Sequence, residues 1–320
     1  MSKMFIERAR SSLGQSLLVR KTSSGDTMGT RYSAVFYTAA DTNVAALDAA
    51  LFAAVDRVDR QMSTWKVHSD LNRLNGAPTN TWVDIPHELM AVLEASLRIE
   101  RATNGAFDIG VGDRVAAWGF GPASGAAERD LPLSASCGER RAASAILELN
   151  RHQGQARKSA PIGLDLAGIA KGFGVDEMAR VMNEFAIPAW LVGIDGEMRA
   201  KGRKPDGTMW AVAHERPDRH VREAMGVLEL QDMAVATSGN YRHFRDVDGR
   251  TISHTIDPRT GAPLDNDIAS VTVLASTCME ADAWATALMV IGVESGLTAT
   301  RKHGLDAVFV LQTGTIRATL

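Results

Sequence analysis

The feature that most limits the fold is the crowding of short strand-like runs into the C-terminal half. AWLVGID (189–195), MWAVAHE (209–215), GVLELQD (226–232), MAVATS (233–238), HFRDVDGRTISH (243–254) and SVTVLAS (270–276) follow one another across short turns. AVFVLQTGTIRATL (307–320) closes the chain as a further hairpin, and Asp248-Gly249 marks a hairpin turn inside the 243–254 run. One helical run, MEADAWATALMV (279–290), stands among them. A doubly wound sheet would alternate strand and helix strictly, so this order predicts an α+β fold with mixed or antiparallel sheets and packed helices.

The N-terminal half supplies the other helices. RYSAVFYT (31–38) reads as a strand. Asn43 caps a helix whose Val44, Leu47, Leu51, Val55, Val58 and Met62 repeat every three or four residues. After a short strand at 82–85, Pro86 opens a second helix that stops at Asn104-Gly105. Residues 163–185 read as strand, turn, then a helix from about 168 to 185. Residues 119–138 are rich in Gly, Pro, Ser and Ala and predict a loop break, while KTSSGDT (21–27) reads as the end of a flexible lead-in over 1–27.

At 320 residues the chain is long enough for two domains or one large unit. Hydrophobic residues make up 45% and charged residues 23%, which excludes a disordered scaffold. A formal charge of −3 is no footprint for a nucleic-acid binder. Cys137 and Cys278 form neither a disulfide framework nor a metal knuckle. The first residues have no apolar run of signal-peptide length and no lipoprotein cysteine. The expectation is a cytoplasmic protein without a membrane anchor, or a periplasmic one if the chain has been trimmed.

P-loop, complete GxGxxG, HExxH and GxSxG signatures are absent. Four polar clusters remain. In Asp165-Leu166-Ala167-Gly168-Ile169-Ala170-Lys171 an acid precedes a glycine turn and a helix that begins with lysine. That end suits an anion, although a capping aspartate and a surface lysine explain the same residues. Asp282 and Thr286 stand i and i+4 on a helix. They offer hard oxygens for Mg²⁺, or else a helix-dipole aspartate and a threonine bonded back to its own backbone. His254, in Ser253-His254-Thr255-Ile256-Asp257-Pro258, can exchange a proton near neutral pH, or be a satisfied structural histidine. The other seven histidines carry no comparable context. Gly105-Ala106-Phe107-Asp108-Ile109-Gly110 lets a flat ligand approach the backbone, or simply makes tight turns around a core aromatic.

Taken in order, these clusters resemble the ApbE family of flavin transferases, the FAD:protein FMN transferases. The likeness runs through Met28-Gly29-Thr30, Met62-Ser63-Thr64-Trp65 with Ser69-Asp70-Leu71-Asn72-Arg73-Leu74-Asn75, AFDIGVG and WGF, LDLAGIAKGFGVD, GIDGEMRAKG, VATSGNYR, SHTIDPRTG and EADAWATAL, roughly residues 28 to 292. The resemblance implies an ApbE-type, T-fold-like α+β architecture over 28–320, one unit of two lobes. It implies FAD as substrate, Mg²⁺, release of AMP, and transfer of FMN to a Thr or Ser of an acceptor flavoprotein. It carries the metal ligands onto Asp282 and Thr286, with carbonyls of Gly168 and Ala285. It carries flavin and adenine contacts onto Met28, Trp65, Ala106, Phe107, Asp108, Asp165, Lys171 and Ile256. Trp65 stands where a tyrosine is common, which keeps stacking and loses the phenol. His254 falls at the base for the acceptor hydroxyl, with Asp257 as its orienting carboxylate and Lys171 as a further charge at the phosphates. An FAD pyrophosphatase and a non-catalytic flavin-binding protein are the alternatives.

Overall fold

The computed structural model describes residues 18–122, 141–241, 244–247 and 250–319. One eight-stranded, fully antiparallel sheet organises it. Its strands are β1 (Val19–Thr27), β2 (Thr30–Thr38), β6 (Ala189–Ile194), β7 (Glu197–Lys201), β10 (Ala234–Gly239), β13 (Ile268–Ala275), β14 (Asp306–Leu311) and β15 (Ile316–Ala318). They lie side by side in that order, so both ends of the chain feed one sheet. The α+β expectation holds.

The sheet is amphipathic on a period of two, and each face has its own cover. Ala34, Phe36, Trp190, Val192 and Ala234 point to one face and bury against α1 (Val44–Met62) and α6 (Ala170–Glu184). Residues between them, Val35, Tyr37, Ala189, Leu191 and Val235, point the other way. There they pack under a hairpin of β8 (Trp210–Glu215) and β9 (Ala224–Leu230). A third cluster joins α3 (His87–Ala102) and α7 (Cys278–Ile291) with β13 and α8 (Val293–His303). Smaller elements complete the fold: α2 (Asp70–Gly76), α4 (Gly112–Ala117), α5 (Ala143–Ile146), a three-stranded sheet of β3 (Val83–Asp84), β5 (Gln155–Lys158) and β4 (Leu147–Asn150), and a hairpin of β11 (Phe244–Val247) and β12 (Arg250–Ser253).

Local signals behave as their chemistry requires. The Asn43 side chain accepts from Ala46 N and caps α1, and Pro86 precedes α3. Differences from the sequence expectation have identifiable causes. Residues 19–27 are no flexible lead-in but β1, paired over all nine residues with β2 around the two-residue turn Met28-Gly29. Residues 163–167 form no strand. Asn75 takes the place of a neighbouring strand, donating from Nδ2 to Leu164 O at 2.9 Å and accepting from Leu164 N at 2.8 Å. The predicted loop break lies mostly outside the described residues, as do Cys137 and the Asp248-Gly249 turn.

Candidate active site

α7 builds the centre of the site. It is buried nearly all round by Cys278, Ala281, Ala283, Trp284, Ala285, Ala287 and Leu288, yet carries Asp282 at 4% exposure. A carboxylate is rarely left inside without a partner, so its surroundings decide its use. Gly172 N of α6 donates to Asp282 Oδ2 at 3.0 Å. That bond requires the two helices to touch. A Cβ on Gly172 would lie 2.4 Å from Cys278 O and 2.8 Å from Asp282 Cβ, so only glycine fits. One turn along α7, Thr286 Oγ1 lies 3.1 Å from Ser238 Oγ of β10, the partner that replaces a bond to its own backbone. Gly168 comes equally close, since a Cβ there would sit 3.0 Å from Thr286 Oγ1.

α6 faces this pair with its N-terminus. Ile169 gives it no side-chain cap. Lys171 Nζ donates to Glu197 Oε1 at 2.8 Å and lies 3.9 Å from Asp195 Oδ2. Burial works against the Lys171 charge, but Glu197 first, then Asp282 and Asp195, outweigh it and raise its pKa above the usual lysine range. For Asp282, burial and the Glu197 charge push the carboxyl up to about 7, against the opposing pull of Lys171 and the Gly172 N–H. Asp176 of α6 completes the frame. It accepts from Cys278 N and Met279 N, both at 2.9 Å, and so caps α7 from another helix. Arg199 of β7 holds the same carboxylate at 2.7 Å. Thus α6, α7 and β7 are locked together by polar contacts with the Lys171–Asp282 region between them.

These groups open on a cavity of about 800 Å³, a size that suits a large organic ligand. Of the sequence-predicted residues, Met28, Trp65, Ala106, Phe107, Asp108, Asp165, Gly168, Lys171, His254, Ile256, Asp282 and Thr286 all line it. Ala285 is fully buried on α7 behind that wall. Asp257 also lies off the lining, its carboxylate gripped by Arg259 through Nε at 2.9 Å and Nη2 at 2.7 Å. Arg259 in turn donates to Val290 O, and Trp118 Nε1 donates to Gly261 O, so the 255–264 loop is tied to α7 and to the end of α4.

Individual side chains are fixed for local reasons. Met28 holds a positive φ of 48°, an uncommon backbone state for a residue with a side chain, because the tight β1-β2 turn demands it. Its Sδ–Cε end reaches Gly174 of α6. Phe107 is placed by the Thr103 hydroxyl, which accepts from Phe107 N at 3.1 Å. One Asp108 oxygen accepts from Gly110 N at 2.7 Å and is already committed to the backbone. Asp165 caps the turn at Ala167 rather than α6, and burial raises its pKa while that N–H lowers it.

Four further cavity residues receive no role from the sequence reading. Glu197 is 3% exposed, and its Oε2 has no hydrogen-bond partner. Its one signal is an acid at an inward-facing position of β7, directly after the Asp195-Gly196 turn. Ser238 stands inside the VATSGNYR motif with nothing local to single it out. Phe120 lies edge-on to His254 at 6.3 Å between ring centroids, although its Gly-rich neighbourhood suggests only a loop. His214, one of the seven histidines without context, lines the cavity with Nε2 3.1 Å from Thr272 Oγ1, and burial lowers its pKa.

The cavity reaches both faces of the sheet because the sheet parts there. β10 pairs with β7 only at Ala234 and Val235, leaving Ala236–Gly239 without a strand partner on that side. Ser238 then serves the helix face and Thr237, bonded to Thr272 at 2.8 Å, the hairpin face.

The donor set suits a hard cation: one buried carboxylate, the Thr286 and Ser238 hydroxyls, and a backbone approach at Gly168 that a Cβ would fill. Among the described residues no group of three His, Cys, Asp or Glu could hold a metal ion, so neutral oxygens and a ligand's phosphates would have to complete such a shell.

Comparison with known proteins shows the family. Residues 28–309 match the model of the ApbE family. An FAD:protein FMN transferase of Vibrio cholerae serotype O1 is 36% identical over 294 residues, covering 91% of this chain and 87% of its own. That of Escherichia coli K12 is 32% identical over 295 residues, covering 91% and 84%. Among solved structures, the flavin transferase ApbE from Vibrio cholerae superposes with a TM-score of 0.80 at 32% identity, over 94% of this chain and 96% of that one. The apo form of Pseudomonas stutzeri flavinyl transferase ApbE gives 0.79 at 30% identity, over 96% of each.

Proposed function

The chain belongs to the ApbE family, and from that premise we propose how its cavity moves FMN from FAD to a protein. It is an FAD:protein FMN transferase. The observation that carries the assignment of the site is Asp282 and Thr286 on a buried helix, opposite Lys171 at the start of α6, all lining one cavity.

Ala285, expected as a further ligand, stays behind the cavity wall, and Asp282 and Thr286, with the carbonyl of Gly168, would hold Mg²⁺. Bound there, the ion supplies positive charge to pyrophosphate oxygens and stabilises the phosphate that leaves. The protein's own part is mostly alignment and charge, as phosphoryl transfer requires. Lys171 and the α6 N-terminus hold the pyrophosphate. Glu197 keeps Lys171 charged and in place. Phe107, Met28, Ile256 and Trp65 bound the rings of FAD, with Ala106, Asp108 and Asp165 at their edges. His254 accepts the proton of an acceptor Thr or Ser hydroxyl. That oxygen then attacks the phosphorus of the FMN half, the pyrophosphate P–O bond breaks, and AMP leaves. Phe120 against one edge of the imidazole limits its rotation. Asp257, fixed by Arg259, holds the loop that carries His254.

The test is direct. Incubation with FAD, Mg²⁺ and a flavoprotein bearing an acceptor threonine should add one FMN to the acceptor by mass spectrometry and release AMP. AMP release at the same rate with no acceptor, and no labelled protein, would instead mean that water is the acceptor.

A further inference from the structure

Between α1 and α2 the chain exposes two large apolar side chains beside the cavity mouth: Trp65 at 68% and Val67 at 80%. Such exposure is ordinary for a mobile tip, but segment 63–68 is held from beneath. Ser69 Oγ donates to Ser63 O at 2.7 Å, and Ser69 N to Lys66 O at 2.9 Å. Asn72 Nδ2 donates to Thr64 O at 2.8 Å and to Lys66 O at 2.9 Å. Lys66 Nζ pairs with Asp59 of α1 at 2.9 Å. Two side chains, Ser69 and Asn72, thus fix the backbone of a loop whose outer surface is apolar. A loop prepared in this way loses little conformational entropy when something covers it.

The segment divides in function. Ser63, Thr64, Trp65 and Lys66 line the cavity, and Val67 does not. FAD in the cavity therefore leaves Val67 in water. A shallow groove of about 510 Å³ runs along residues 26–31 and Asp59, the ion-pair partner of Lys66, sharing Met28, Gly29 and Asp59 with the cavity. The groove meets the cavity at the β1-β2 turn.

We infer that segment 63–68 and this groove form the docking surface for the acceptor protein. The inference rests on the transferase reading. The reaction carries its nucleophile on a protein, so the acceptor chain must cross the rim to bring a hydroxyl to Lys171 and His254. An extended stretch of the acceptor lies in the groove, and small or apolar side chains flanking the modified residue cover Val67 and the outer face of Trp65. An exposed tryptophan beside a pocket has the composition of an interface anchor.

Val67→Glu and Val67→Lys test this, since both keep the fold at an exposed position and touch no cavity residue. Transfer kinetics are measured with a folded flavoprotein domain that the wild-type enzyme labels. Both variants should raise KM for that domain by about tenfold or more, the effect of losing one interface contact. Saturating kcat, FAD affinity and melting temperature should stay at wild-type values. A KM within about twofold of wild type in both variants, less than any interface anchor contributes, overturns the docking surface while leaving the transferase reading intact. If the wild-type enzyme labels no acceptor at all, the transferase reading fails and the docking surface falls with it.

Discussion

The substitution Asp282→Asn removes a charge while keeping an oxygen that can accept from Gly172 N. In the metal-free protein the Asp282 carboxyl stands at about 7, against an ordinary 3.8. Burial causes most of this, and Glu197 adds to it. The sign follows from proton linkage. The folded state binds a proton more tightly than the unfolded chain, so stability at this group is fully present below about pH 4 and is lost as pH rises towards 7. At about 1.36 kcal/mol per pH unit, the loss is on the order of 4 kcal/mol over that window. The asparagine does not titrate, so the stability of the variant relative to wild type should climb by a few kcal/mol between about pH 4 and pH 7. Urea unfolding of both proteins in EDTA, at half-unit pH steps, measures the difference. Adding Mg²⁺ at neutral pH should then raise the wild-type midpoint and leave the variant where it was, because an ion held by the carboxylate displaces its proton and binds only the folded state. Parallel pH curves for the two proteins would refute the argument that Asp282 is a strained, proton-binding carboxylate suited to a cation.

Three further outcomes are expected. His254→Ala should slow labelling of the acceptor by about 10²- to 10⁴-fold with little change in FAD affinity, checked by single-turnover mass spectrometry and flavin fluorescence titration. Gly172→Ala should destabilise the fold by about 1–3 kcal/mol in urea unfolding, because the new methyl meets the backbone carbonyl of Cys278 and forces α6 from α7. Glu197→Gln should weaken binding of FAD but not of riboflavin, since it loosens Lys171 at the phosphates and leaves the ring walls alone; equal losses for both ligands would place Glu197 elsewhere in the binding energy.

The apolar skeleton and the outer polar groups are legible in the sequence, and the groups that act through a partner are not. Asp282 and Thr286 can be read as a pair because i and i+4 spacing puts them on one helix face, although spacing alone leaves the helix-dipole reading open. The α1 periodicity and the Asn43 cap behave as local rules require. Glu197 stays hidden because an acid after a turn looks like a surface residue until α6 brings Lys171 onto it. Asp176 looks like an exposed helix position, though it caps a helix that begins 102 residues away. Residues 19–27 carry a polar composition, and their strand exists only through pairing with β2. Helix α8 buries just Gly296, Leu297 and Thr300, too narrow a stripe to register in a window of mixed Gly and Thr. Each miss is a case where a tertiary neighbour, absent from the local sequence, decides the outcome.

The shared sheet has a consequence for how the protein comes into being. β1 and β2 leave the ribosome early, yet their sheet neighbour β6 begins only at Ala189 and the central β13 at Ile268. Asp282 and Thr286 arrive later still, and β14 after them. No nascent chain that stops short of α7 therefore has the buried Asp282 carboxylate facing Lys171. A product cut short before α7 carries cavity walls without Asp282 and Thr286.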